Sequence, residues 1–215
     1  MKIKKLSLLL AGMLIAAHAH ALDTNSDFPT IVRTKIHSKL PASTAHIVRF
    51  YIDEAPSNSG YETGNLHIIY SDKTEVIEKV PPKKESTENR RVENQEGISD
   101  PKLADDKRTI GWTEDMHNCA TSYAVPLAIA VYQSGETVLH IQQGQMVWFW
   151  RFLDGGKKIA AVWGPTHGRE VGDYQLYDVI TGRMLSEVFG NEKSQSLDPD
   201  APEWAKQTEQ EMNHQ

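Results

Sequence analysis

Short apolar runs, each ended by turn-forming residues, follow one another along most of the chain. The runs are about four to ten residues long, a length typical of β-strands. In residues 44–53, Val48, Phe50 and Ile52 alternate with other positions, as on a strand with one buried face. The pattern predicts an all-β fold. The predicted strands are residues 44–53, 66–70, 76–80, 98–103, 109–112, 127–132, 137–141, 146–152, 158–163, 174–179 and 184–188.

The chain also repeats itself with a period near 48 residues. Residues 102–112 align with 151–161 at an offset of 49, and residues 127–139 align with 174–185 at an offset of 47. A weaker copy covers residues 66–77. Each copy contains an Asp-led polar turn between two strands and, in the two clear copies, a Ser-Gly or Thr-Gly turn between two more, where Gly adopts a positive φ. Four strands in such a period are typical of a propeller blade, which buries its faces against neighbours.

The sequences DDKRTIGW, DGGKKIAAVW and YQLYDVITGRMLSEV carry a resemblance to known proteins. They are similar to the "SPDGKxIAF … LYxxDxxTGxxxxL" pattern in blades of TolB-like and WD40-like β-propellers. The resemblance covers residues 98–190 well and residues 44–80 weakly, and the chain also resembles small secreted bacterial proteins with a two-blade core. It implies blade-like sheets and leaves the chemistry open, because function resides in sites rather than in folds.

Propellers typically have four to eight blades, whereas this chain contains two clear copies and at most a third. The expected fold is therefore all-β, with antiparallel four-stranded, propeller-blade-like meanders at about residues 44–80, 98–141 and 145–189. These could form an incomplete or open propeller, a three-sheet stack, a β-sandwich, or half of a dimer.

The β domain is expected to span residues 22–190, with one loop inside it and one further segment before and after it. Residues 81–97 begin with Pro and are charged, so they are predicted to form a mobile loop. The C-terminal tail, residues 191–215, contains one short predicted helix at 203–212, with Pro202 just before it. Residues 1–21 form the segment before the domain.

Residues 1–21 have the organisation of a secretory signal peptide. Lys2, Lys4 and Lys5 precede an apolar stretch at residues 6–17, and Ala19-His20-Ala21 forms a small-x-small cleavage site. Cleavage after Ala21 would change the net charge from -6 to about -9. No later apolar run approaches the length of a membrane span, so the mature chain is expected to be soluble and periplasmic or secreted.

Charge and cysteine content exclude several classes of partner and site. The 29 acidic residues outnumber the 23 basic ones, which argues against nucleic acid, since phosphate binding needs clustered Lys and Arg. One cysteine excludes an internal disulfide framework and any multi-cysteine zinc site. The spacings HxxxH, HExxH and CxxC do not occur, so no metal or other cofactor is expected.

The candidate binding site lies on three connections that a blade-like fold would bring to one face. They are residues 55–63, 113–125 and 164–172, and they contain unlike polar side chains. Functional residues are often placed on such scaffolded loops. The candidate binding residues are Tyr61, Glu114, Asp115, His117, Cys119, Tyr123, His167, Arg169 and Glu170.

Three functions agree with these features. The first is a periplasmic or secreted module that binds a protein, with possible inhibition of a basic envelope enzyme or toxin through an acidic patch at Glu114, Asp115, Glu170 and Asp173. The second is an envelope hydrolase using His117, Cys119 and His167 as a thiol and base constellation. The third is an assembly component that pairs through exposed sheet edges. A homodimer, including one bridged by Cys119, is a further option.

The aromatic run Trp148-Phe149-Trp150 must point to both faces of its strand. Consecutive aromatic residues fit a strand buried on both faces, and a ligand-binding platform is the alternative. Trp112 and Trp163 are predicted to lie in the core. His67 and His140 are predicted to be surface residues or cross-strand partners.

Overall fold

The structure is a computed structural model that describes residues 31–36, 45–55, 63–81, 95–117, 123–133, 136–166, 172–191 and 196–215. The expected signal peptide lies outside these residues. Most of the predicted loop at 81–97 also lies outside them, but a strand begins at Gln95, inside the segment predicted as loop. This strand start was missed because it is polar and is held by pairing with Met116 and Asp115.

The all-β class with a short C-terminal helix is confirmed. The helix α1 occupies Glu203–Met212, the range predicted from the sequence. A short 3-10 helix, Asp154–Gly156, joins two of the strands. The strands are β1 Ile31–Ile36, β2 Ile47–Ile52, β3 Leu66–Tyr70, β4 Glu75–Glu78, β5 Gln95–Leu103, β6 Thr109–Met116, β7 Val125–Gln133, β8 Glu136–Gln142, β9 Met146–Leu153, β10 Lys158–Gly164, β11 Asp173–Asp178 and β12 Met184–Phe189.

The strands form three antiparallel sheets, each built around one meander. The three-stranded sheet has the order β2-β3-β4, the five-stranded sheet β1-β8-β7-β6-β5, and the four-stranded sheet β12-β11-β10-β9. Strand β1 was not predicted. It joins the five-stranded sheet by pairing with β8, from Ile31 opposite Gln142 to Ile36 opposite Thr137. Its partner lies about a hundred residues further along the chain, so no adjacent strand in the sequence reveals it.

The five-stranded sheet lies between the other two. On β7, Ile129 and Val131 pack in one hydrophobic cluster with Trp150 and Ile159 of the four-stranded sheet. The alternate residues of β7 face the opposite way, and Tyr132 packs in a second cluster with the three-stranded sheet. Because side chains alternate along a strand, one strand contributes to both cores.

The outer face of the four-stranded sheet is covered by the C-terminal segment. Phe149, Val162 and Tyr174 pack there against Leu197 and Ala205. The layers therefore run from the three-stranded sheet through the five-stranded and four-stranded sheets to α1.

A β-bulge explains how the aromatic run fits both faces of β9. Val162 is opposite Phe149 and Trp163 is opposite Val147, so Trp148 is the extra residue. Phe149 packs on the α1 side with Trp148 beside it, whereas Trp150 packs toward the five-stranded sheet. The core interpretation is confirmed for Phe149 and Trp150, which are buried. Trp112 and Trp163 are also buried, as predicted.

Two of the short turns between strands are held by the carboxylate of an aspartate. Asp106 Oδ1 accepts hydrogen bonds from the backbone N–H groups of Arg108 and Thr109, both at 2.8 Å. Asp178 accepts from Thr181 in the same way, and the backbone N–H and then the hydroxyl of Thr181 hold the pKa of Asp178 below its usual value. Such turns form locally, which is why they are recognisable in sequence.

We predict that a methyl group at Gly111 would disturb the contact between the five-stranded and four-stranded sheets. A Cβ there would lie 2.8 Å from Trp150 Cη2 and 3.1 Å from Ala130 O. Gly111→Ala should therefore destabilise the protein by about 1–3 kcal/mol in urea unfolding. Trp150→Phe removes the two contacting ring atoms, so the double variant should lose less stability than the two single losses added together. Strict additivity would contradict this contact.

Candidate functional site

The strand directions give the stack two unlike ends. At one end, here called the loop end, lie the last residues of β2, β4, β6, β8, β10 and β12, the first residues of β3, β5, β7, β9 and β11, and the connection 143–145. The opposite end, the turn end, holds the short turns 71–74, 104–108, 154–157 and 179–183.

Contacts between sheets show that the turn ends of all three sheets coincide. The backbone N–H of Ile47, at the start of β2, donates to the carbonyl of Lys107 at 2.7 Å. A Cβ on Gly156, in the turn before β10, would lie 2.8 Å from Ala104 Cβ, at the end of β5. The strand ends that flank the longer connections of the three sheets therefore lie at the same end of the molecule.

Two of the candidate binding residues at the loop end are held inside the fold. Glu114 is hydrogen-bonded to His140, with Oε2 2.9 Å from Nε2 and both side chains largely buried. Asp115 is buried and accepts a hydrogen bond from Ser99 Oγ at 2.7 Å. The register with β7 shifts between these two neighbours, since Glu114 lies opposite Ala128 and Asp115 opposite Pro126. Neither carboxylate is thus placed to form an exposed acidic patch, and Asp173 is half-buried.

Two other candidates are more accessible. His117 is half-exposed, with Nδ1 3.9 Å from Oε2 of Glu96. Tyr123 is exposed just before β7. The remaining candidates lie outside the described residues, so the hydrolase constellation stays a prediction. They are Tyr61, Cys119, His167, Arg169 and Glu170.

The structure adds three residues that the sequence did not single out as site residues. Phe189, the last residue of β12, is exposed at the loop end beside the strand start at Asp173. His140 pairs with Glu114 across the intervening strand β7. Glu78 ends β4 and is described below. The sequence signal that could have identified Phe189 is its position as an apolar residue just beyond the predicted strand end at residue 188.

The outer face of the three-stranded sheet carries a polar ladder. His67 lies between two carboxylates, with Nδ1 2.7 Å from Glu75 Oε1 and Nε2 3.0 Å from Asp53 Oδ2. The hydrogen bond with Glu75, and then that with Asp53, raise the pKa of His67 despite its partial burial. Tyr51 stacks on the imidazole at 4.6 Å, and Arg49 lies 5.0 Å from the Tyr51 ring centre. His67 is thus a cross-strand partner of Asp53 and Glu75, and polar side chains cover this face of the sheet.

A cleft of about 280 Å³ lies at the turn end between the five-stranded and four-stranded sheets. Lys102 and Arg151, which align in the repeat, both line it. Lys102 Nζ lies 3.0 Å from Asp100 Oδ2 and donates to the Trp150 carbonyl at 2.7 Å, while Arg151 pairs with Glu211. Both cations are therefore already paired within the protein.

Comparison with known proteins gives no family for this chain. No protein-family model matches it, and no curated protein matches it significantly. In the described ranges, no three His, Cys, Asp or Glu side chains are grouped so that they could hold a metal ion. The helix that the structure describes is too short and too polar to cross a membrane.

We predict that Glu114 and Asp115 support the fold, whereas Tyr123 does not. Glu114→Gln and Asp115→Asn should each lower the free energy of unfolding by about 1–3 kcal/mol, because buried hydrogen-bond partners lose a charged acceptor. Tyr123→Ala should change it by less than about 0.5 kcal/mol, as exposed positions usually do. Urea unfolding at neutral pH measures all three. If Glu114→Gln and Asp115→Asn both kept full stability, Glu114 and Asp115 would again be candidates for the binding surface.

Proposed function

We propose that this protein is a periplasmic or secreted binding module that uses its loop end to bind another protein. The observation that carries the proposal is the exposure of two aromatic side chains, Tyr123 and Phe189, at that end. Aromatic residues with one accessible face make strong anchors in protein interfaces.

The contrast with the other large aromatic residues supports this use. Trp112, Trp150 and Trp163 are fully buried between sheets, where they stabilise the stack. Tyr123, just before β7, is 53% exposed, and Phe189, the last residue of β12, is 61% exposed. Exposed aromatic side chains offer apolar surface that a partner protein can bury.

The sheet edges favour binding through loops rather than assembly by pairing of edge strands. Four of the edge strands carry a β-bulge in the edge strand itself, at Val48 in β2, Glu96 in β5, Trp148 in β9 and Leu185 in β12. Bulges twist an edge away and interrupt its pairing with a further strand. The other two edges, β4 and β1, carry charged residues, and β4 has four residues.

The two ends of the layer stack also support a module that is complete in one chain. The four-stranded sheet is covered by α1, and the outer face of the three-stranded sheet carries the polar ladder of Arg49, Tyr51 and His67. Stacked repeats need such terminal caps to remain soluble. The resemblance to propeller blades would then describe an open stack of three sheets.

The proposed location depends on the signal-like order of residues 1–21. Removal of this segment would leave a chain with a net charge of about -9, which favours a basic partner. Inhibition of a basic envelope enzyme or toxin is one form that this binding would take.

Site-specific photo-crosslinking tests the proposal. A benzophenone amino acid replaces Tyr123 or Phe189 at the loop end, and Ile180 or Val48 at the turn end in matched controls. The pairs have similar exposure, 53% against 50% and 61% against 61%. We expect protein adducts in envelope extracts of the source cells from the two loop-end positions and not from the controls. Equal labelling at both ends, or adducts from the turn end alone, would contradict the proposal.

A further inference from the structure

Glu78 places a carboxyl group on the inner face of the three-stranded sheet. It ends β4 and pairs with Leu66, which is fully buried. Val76, two residues earlier, packs in the cluster between this sheet and the five-stranded sheet. Because side chains alternate, Glu78 points toward the same interface as Val76.

The group that faces Glu78 is itself acidic. Burial first, and the charge of Glu114 on β6 second, raise the pKa of Glu78 to about 7. Glu114 is already paired with His140 of β8 at 2.9 Å. Glu114 lies two residues after Trp112, which packs in the cluster between the two sheets, so alternation places Glu114 on the face of β6 that is turned toward the three-stranded sheet. Glu78 and Glu114 thus belong to one interface whose other buried side chains are mainly apolar, and the imidazole of His140 contacts Glu114.

The other elements around Glu78 provide apolar neighbours or charges that point away. From β5 and β7, Ile98 and Ala130 pack in the shared cluster. In the same sheet as Glu78, the charged residues of the polar ladder pair with one another on the outer face. They are Asp53, His67 and Glu75.

We propose that docking of the three-stranded sheet on the five-stranded sheet is controlled by the protonation of Glu78, so that the contact loosens as the pH rises through neutrality. Protonated Glu78 is neutral and tolerates the apolar interface beside Glu114. Ionised Glu78 brings a second negative charge into that interface, where charges are poorly solvated.

The sign follows from linkage between protonation and docking. An acid whose pKa is higher in the docked state than in the open state favours docking most strongly below its ordinary pKa. That contribution is lost as the pH rises from the ordinary value toward the docked value. The three-stranded sheet carries residues 53–55 and 63–65 at the loop end, so its release would alter the surface presented there.

Protection of a buried cysteine from a thiol reagent measures this opening directly. In a Cys119→Ser background, Ala130→Cys reports on the interface that contains Glu78, and Ala161→Cys reports on the interface of the other two sheets. Both alanines are buried, so the pair is matched. Each labelling rate is divided by that of the urea-unfolded variant at the same pH.

We expect the protection at position 130 to fall about tenfold between pH 6 and pH 8.5, as linkage predicts for a carboxyl group with an ordinary pKa when open. Protection at position 161 should change much less. Adding Glu78→Gln should remove most of the fall at position 130, whereas Glu54→Gln, an exposed carboxyl in the same sheet region, should not.

Deprotonation of His67 also destabilises the three-stranded sheet as the pH rises. The pKa of His67 is raised in the folded protein, so its protonated form stabilises the fold at low pH. The comparison of Glu78→Gln with Glu54→Gln separates the two effects, since His67 is intact in both. If Glu78→Gln fails to fold, Glu114→Gln removes the facing charge and should reduce the fall at position 130. The proposal would be overturned if protection at position 130 still fell in the Glu78→Gln variant, or in the Glu114→Gln variant where that one replaces it. It would also be overturned if protection at position 130 did not fall when both glutamates are present.

Discussion

Burial of the five-stranded sheet on both faces is the constraint on which the rest of the structure depends. A strand such as β7 must supply apolar side chains in two directions, with Val131 on one side and Tyr132 on the other. Each fully buried side chain of this kind contributes about 1.5–3 kcal/mol relative to exposure. Neither flanking sheet could be removed without exposing one of the two cores, so the three meanders form one cooperative stack.

Once the middle sheet is buried, the stack must end on surfaces that tolerate water. The chain provides two different solutions. Helix α1 lies over Phe149 and Val162, while the outer face of the three-stranded sheet has His67 held between Asp53 and Glu75. Four of the described edge strands are interrupted by bulges, and the strand ends that flank the longer connections lie at one end. Among the exposed large hydrophobic residues that the structure describes, the two aromatic ones, Tyr123 and Phe189, lie at that end.

Local signals in the sequence predicted much of this architecture. Alternating apolar residues gave most of the strands, the Asp-led and Gly-containing turns gave the meanders, and Pro202 marked the start of α1. Features that depend on distant pairing were missed. Strand β1 has its partner about a hundred residues away, and the bulge at Trp148 depends on the register with β10. The burial of Glu114 and Asp115 was missed for the same reason, because His140 and Ser99 are brought to them by neighbouring strands.

The account depends on a stack that one chain completes by itself. Sedimentation analysis of the chain from Leu22, the form that the proposed cleavage after Ala21 would leave, with and without reductant, tests this most directly. We expect a monomer in both conditions, since both terminal layers are already covered or polar. A dimer that persists in reductant would contradict the account, because the stack would then need a second copy to bury its faces.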